Sequence, residues 1–197
     1  MNILITGGLG FIGSNLTKYL LSKKIVKKII IIDSFQKTSF KNIKSFAEYK
    51  YYKSVSSYKP SSHRLVIIKG DVKNPGVAIK LTKKIDYVIH LAAESGVDIS
   101  ISEPSKSFNN NVVGAFNYLD ASRINNVKRF IFASSGAVFG DQKPPLTESM
   151  PKSPISPYGS SKLTIETYAE TFSKVFDLKA TVLRFSNAYG RYSQHKN

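Results

Sequence analysis

A doubly wound α/β fold, a parallel sheet with helices on both faces, is what this sequence predicts. Three observations carry that reading. Short apolar runs rich in β-branched residues alternate with longer amphipathic ones, the rhythm of strand and crossover helix. The short runs are apolar throughout rather than at every second residue, which suits strands covered on both faces. A glycine-spaced stretch follows the first run directly.

Taken in order, the predicted strands are Asn2–Thr6 (N-I-L-I-T), 29–33 (I-I-I-I-D), Leu65–Lys69 (L-V-I-I-K), 86–91 (D-Y-V-I-H-L), 129–133 (R-F-I-F-A) and 180–184 (A-T-V-L-R). Helices are predicted near 11–23, 75–84, 104–125 and 157–176. Residues 36–63 break the rhythm, being rich in Lys, Ser and Tyr. A crossover helix fits their first half, and the second half reads as a loop. There is no internal repeat and no linker, so 1–197 reads as one domain.

Composition narrows the function. The 197 residues, 42% of them hydrophobic, suffice for a sizeable core. The absence of cysteine excludes disulfides, thiolate metal sites and a cysteine nucleophile; no metal site is expected, and the cytoplasm is the expected location. The start, M-N-I-L-I-T-G-G, lacks a charged leader and a cleavage pattern. No apolar run approaches the roughly 20 residues that cross a bilayer, so a soluble protein without a membrane partner is expected. The formal charge of +16 favours anionic partners. Its lysines are scattered, with no basic helical stripe and no zinc-finger spacing, which speaks against nucleic acid. Aromatics interleaved with lysines in 36–63 are the one stretch suited to single strands, and a solvated insertion explains them better.

The stretch T-G-G-L-G-F-I-G (6–13) places Gly7, Gly10 and Gly13 three apart after a strand and before a helix. Such a loop lets backbone approach a diphosphate, which rests on the amides and positive end of the following helix. Ile12, Leu16, Tyr19 and Leu20 share one side of that helix. Asp33 ends the next strand, 20 residues beyond Gly13. Its carboxylate can accept hydrogen bonds from both adenosine ribose hydroxyls and repels a 2′-phosphate, favouring NAD over NADP. Lys37 softens that discrimination.

Ser156 and Pro157 form a good helix start, with serine as cap and proline in the first turn. Tyr158 and Lys162 then lie four apart on one face. That face continues through Ile165, Ala169, Phe172 and Phe176, whereas Glu166, Glu170 and Lys174 fall elsewhere. A lysine on an apolar stripe requires a partner or a polar cavity. An acid–base pair explains both residues: the ammonium, with the positive ring of an oxidised cofactor, lowers the phenol's pKa. Tyr158 then takes a proton from a substrate alcohol as hydride leaves its carbon. Ser135, in A-S-S-G-A-V-F-G (133–140), follows the fifth strand and can hold the same oxygen, because the carboxyl ends of the strands share one crevice.

These residues together resemble the extended short-chain dehydrogenase/reductase family, most closely its NAD-dependent nucleotide-sugar epimerases of the UDP-glucose 4-epimerase type. The resemblance implies a Rossmann-type fold. It covers the whole chain, and the motifs occur in order. T-G-G-L-G-F-I-G resembles the cofactor loop, with Gly7, Gly10, Phe11, Ile12 and Gly13 at the dinucleotide and Asp33 at its ribose. K-G-D-V (69–72) implies adenine contacts from Asp71 and Val72. H-L-A-A (90–93) implies that Leu91, Ala92 and Ala93 pass beneath the cofactor, with His90 structural. N-N-V-V-G-A-F-N (110–117) resembles the active-site helix, with Asn111 its structural asparagine and counted among the cofactor residues. Ser135, Tyr158 and Lys162 match the catalytic positions, and R-F-S-N-A-Y-G (184–190) implies that Asn187 touches a nucleotide-diphosphate sugar.

The implied reaction oxidises a sugar carbon through bound NAD, turns the keto-sugar over and returns hydride to the opposite face. The implied assembly is a homodimer pairing through the helices near 104–125 and 157–176. Related 4,6-dehydratases carry a threonine–aspartate–glutamate run where this chain has Ser135, Gly136 and Ala137, which argues against dehydration. Family members continue well beyond the position of Asn197 into a substrate domain, so the chain alone is expected to bind NAD but to turn over weakly or not at all. A decarboxylase, a reductase, a dehydrogenase or a non-catalytic NAD module are the other readings.

Overall fold

The computed structural model describes residues 1–193; the last four positions of the domain assigned to 1–197 lie outside the described residues. Seven strands form one all-parallel sheet: β1 (Asn2–Thr6), β2 (Lys28–Asp33), β3 (Lys50–Tyr52), β4 (Leu65–Lys69), β5 (Tyr87–His90), β6 (Arg129–Ser135) and β7 (Ala180–Phe185), in the order β3-β4-β2-β1-β5-β6-β7. All six predicted strands are present. Chain order reverses at β1, which pairs with β2 on one side and β5 on the other. A crevice opens at such a switch point, beyond the carboxyl ends of the strands.

Alternation along each strand builds two cores. Leu4, Ile30, Ile32, Val66 and Ile68 face one side of the sheet and pack with Leu119, Phe130, Phe132, Ile165 and Ala169. Ile3, Ile5, Ile29, Ile31 and Ile67 face the other, with Leu16, Leu20 and Phe40 against them. Fully burying each such side chain contributes about 1.5–3 kcal/mol before conformational entropy is counted. The central residues of β1, β2 and β4 are hydrophobic without alternation because both faces of the sheet are covered there.

The helices are α1 (Phe11–Leu21), α2 (Lys41–Lys44), α3 (Pro75–Thr82), α4 (Val97–Ser102), α5 (Pro104–Phe108), α6 (Gly114–Ile124) and α7 (Pro157–Val175). Three details differ from the sequence reading. The helix expected over 104–125 is interrupted by one wide π turn, Asn109–Val113. Segment 36–63 holds only one helical turn, α2, and then supplies β3, a sheet edge paired in parallel with β4. Its rings are spent on each other: Phe40 stacks on Tyr49 and meets Phe35 and Tyr51 edge-on, and Tyr52 meets Tyr58. Tyr19 departs from the apolar side of α1; it is 59% exposed, with the Lys23 ammonium 4.3 Å from its ring centre. No helix among the described residues is long and apolar enough to cross a membrane.

Candidate active site

At the switch point lies a cleft of about 930 Å³, within the size range of small-molecule sites. Its floor is the glycine loop. Gly7 has φ +67°, and a Cβ there would meet the backbone nitrogen of Ala92 at 2.8 Å. A Cβ on Gly13 would meet Gly8 Cα at 2.6 Å, so α1 can approach the loop only through glycine. Gly10 caps α1 without a side-chain hydrogen bond. The first-turn N–H groups are therefore left for whatever occupies the cleft, at the positive end of the helix. This cradle fits a diphosphate.

Asp33 closes the β2 side of the cleft. Its carboxylate accepts hydrogen bonds from Leu9 N–H (3.1 Å), Phe35 N–H (3.0 Å) and the Thr38 hydroxyl (2.8 Å). Three donors hold it at the cleft wall, two on Oδ1 and one on Oδ2, so Oδ2 keeps lone-pair capacity for a ribose hydroxyl. Asp71 and Val72, after β4, line the cleft, as do Phe11 and Ile12 at the start of α1. Leu91, Ala92 and Ala93 line the cleft below. Small residues suit that position, because the glycine loop packs against the Ala92 backbone.

The opposite end is built by β6 and α7. Ser156 caps α7 by accepting Gly159 N–H at 3.1 Å, with Pro157 in the first turn, as its sequence predicts. Gly159, missed in the sequence, decides how close α7 comes: a Cβ there would meet the Ala137 carbonyl oxygen at 2.5 Å. That contact seats Tyr158 beside Ser135. Lys162, one turn further, is buried and donates to the Ala133 carbonyl at 2.8 Å. Its ammonium lies 4.9 Å from the Phe132 ring centre and 5.7 Å from that of Tyr158. Ser135, Tyr158, Lys162 and Asn187 all line the cleft.

The lowering expected for the Tyr158 phenol draws on an oxidised cofactor as well as on Lys162. In the protein by itself the Tyr158 phenol is pushed up, not down: burial outweighs the opposing hydrogen bond from Ser135. The lysine is also affected, its pKa lowered by burial to about 8. With a pKa of about 8 the ammonium still carries its charge at neutral pH. His90 is lowered to about 3, first by burial and then by the charge of Lys162. Its Nδ1 lies 3.0 Å from the Thr6 hydroxyl, and that hydroxyl accepts Ala92 N–H at 3.1 Å. A neutral histidine thus ties β1 to β5, a packing role.

Two expectations fail on geometry. Asn111 does not reach the cleft wall. It lies in the π turn, buried, and clamps Glu94 by accepting its N–H at 2.7 Å and donating to its carbonyl at 3.1 Å; Asn110 lines the cleft instead. The wide turn rotates Asn111 inward, which a regular helical count does not foresee. Glu166 does not lie on the wet side of α7. Its carboxylate is buried, accepting from Ser134 at 2.5 Å and from Arg184 at 2.8–3.2 Å. This bidentate pair locks β6 and β7 to α7 behind the cleft, and nothing in the local pattern of α7 announced it.

Comparison with known proteins agrees with this geometry. The model of the NAD dependent epimerase/dehydratase family matches residues 3–197. The dTDP-glucose 4,6-dehydratase of Mycolicibacterium smegmatis is 31% identical over 99% of this chain and 55% of its own length. The UDP-glucose 4-epimerase of Corynebacterium glutamicum is 32% identical over 98% of this chain and 53% of its own. Among solved structures, the UDP-glucose 4-epimerase of Thermus thermophilus in complex with NAD superposes with a TM-score of 0.82 at 28% identity, covering 99% of this chain and 58% of that one. The chain spans about half the length of the curated relatives it matches.

Proposed function

The chain belongs to the NAD-dependent epimerase/dehydratase family, and from that premise we propose that it is the cofactor-binding part of a nucleotide-sugar epimerase. The observation that carries this reading is convergence. Ser135, Tyr158 and Lys162 line the same cleft as the glycine loop and Asp33. When bound, NAD supplies a hydride acceptor, the donor for hydride return and a positive charge.

The chain's own residues do the rest. The α1 N-terminus and the glycine backbone hold the diphosphate, and Asp33 takes the adenosine ribose. Ser135 hydrogen-bonds the reacting sugar oxygen. Tyr158 takes the hydroxyl proton as the carbon is oxidised and gives it back as the carbon is reduced. Lys162 provides the nearby cation that makes the phenolate accessible. Asn187, exposed at the cleft rim after β7, contacts the sugar nucleotide. Further grip on the nucleotide belongs to the half of the relatives' length that has no counterpart here, so the chain alone turns over weakly or not at all. A homodimer in the cytoplasm is part of the same reading, with the exposed Phe108, Tyr168 and Phe176 on the pairing helices.

Epimerisation is favoured over dehydration because Gly136 and Ala137, directly after Ser135, carry no carboxyl group to serve water elimination. The test is product analysis by NMR with UDP- and dTDP-sugars, using a form that includes the downstream half, in wild type and Tyr158→Phe. Interconversion of epimers that disappears in the variant is expected. An undiminished rate in Tyr158→Phe refutes the acid–base assignment, and a keto-deoxy sugar product refutes epimerisation.

A further inference from the structure

We propose that Glu94 sharpens the preference for NAD over NADP by sequestering Lys37, the one cation built into the loop around Asp33. The inference rests on the reading that Asp33 takes the adenosine ribose. Residues 34–38 wrap the Asp33 carboxylate: Phe35 N–H and the Thr38 hydroxyl both donate to its Oδ1. Lys37 lies inside that wrap, and a lysine there has a flexible stem long enough to reach a ribose 2′-phosphate. Left free, it would offset the repulsion that Asp33 exerts on that phosphate.

The lysine is not free. Its ammonium is bound to Glu94 Oε1, and both residues line the cleft. The pair is asymmetric: the Lys37 side chain is 53% exposed and that of Glu94 4%. Glu94 is fixed, since Asn111 holds its backbone N–H and carbonyl together. A second cation, Lys106, stands 3.9 Å from Glu94 Oε2 but is shared with Glu103 at 3.2 Å. Drawing Lys37 away would strand a buried carboxylate with one distant partner, which is strongly unfavourable. The exposed lysine is therefore captive to the buried acid, and Asp33 meets the ribose without a cationic rival.

The test is calorimetric titration of the 197-residue chain with NAD and with NADP, in wild type, Glu94→Gln, Lys37→Met and the double variant. Glu94→Gln keeps the side-chain shape and releases the lysine. The affinity ratio of NADP to NAD is expected to rise about tenfold, near the low end of what one charge-assisted hydrogen bond contributes. The gain is expected to vanish in the double variant. Lys37→Met alone unpairs the buried Glu94 carboxylate and is expected to lower the midpoint of thermal unfolding below that of the wild type. An unchanged ratio in Glu94→Gln overturns the proposal. So does a gain that survives in the double variant, which would assign it to Lys106, and so does an unchanged unfolding midpoint in Lys37→Met, which would show that Glu94 does not hold the lysine. A wild type that binds neither dinucleotide overturns the reading of the cleft itself, a result distinct from an unchanged ratio.

Discussion

Replacing Lys162 by methionine is expected to remove the acid–base cation and, at neutral pH, to leave the fold as stable as before or more so. The side chain is only 3% exposed, and burial lowers its pKa from 10.5 to about 8. That gap is worth roughly 3 kcal/mol of cost for holding the charge inside the folded protein. Between pH 8 and 10.5 the unfolded chain binds the proton and the folded one does not, so stability rises with pH across that window. Below pH 8 both states are charged and the full cost is present. Methionine removes the cost but strands the Ala133 carbonyl that Lys162 serves at 2.8 Å, a loss of about 1–3 kcal/mol. At pH 7 the variant should lie between parity and about 2 kcal/mol above wild type. By pH 10 the wild type has recovered most of its cost, and the balance moves toward it by ~2 kcal/mol. Urea denaturation of both proteins at the two pH values measures this shift. An identical stability difference at pH 7 and pH 10 would refute the reasoning, because Lys162 would then not titrate in that window.

Further outcomes follow from the same geometry. His90, neutral in the fold with a pKa near 3 against an ordinary 6.5, should lose the protein stability progressively as pH falls from 6.5 toward 3, since only the unfolded chain takes up the proton there; His90→Asn should flatten an acid denaturation curve in that range. Gly13→Ala forces a Cβ to within 2.6–2.8 Å of the Gly8 and Gly7 backbone; a loss of at least ~2 kcal/mol in thermal unfolding is expected, together with loss of NAD binding by calorimetry. Glu166→Gln breaks a buried bidentate pair and should cost about 3 kcal/mol in denaturant, whereas Glu170→Gln, in the exposed pair with Lys174, should leave the midpoint unchanged.

Much of the site was legible because it is written locally. The glycine loop is a steric statement about neighbouring backbone, Ser156 and Pro157 specify where α7 begins, and four-residue spacing aligns Tyr158 with Lys162. Glu166 looked like surface because its partners, Ser134 and Arg184, come from other strands; its burial depends on where β6 and β7 end. Asn111 was placed among the cofactor residues by resemblance alone, and in the π turn it is spent on the Glu94 backbone. Tyr158 was expected to titrate low beside an ammonium and the positive ring of an oxidised cofactor; in the protein by itself burial raises it against the Ser135 hydrogen bond.

The order of the six predicted strands, the close-packed glycine loop and the alignment of Tyr158 with Lys162 were determined by the sequence itself, since each depends on residues near one another in the chain. What only the tertiary structure decided is which charges lie inside and with whom: Lys37 on Glu94, Arg184 on Glu166, Lys162 on a backbone carbonyl. Those partners are joined by the packing of loops from separate strands around the switch point. Solvent exclusion there, which no local pattern encodes, raises the Tyr158 phenol and lowers the Lys162 ammonium.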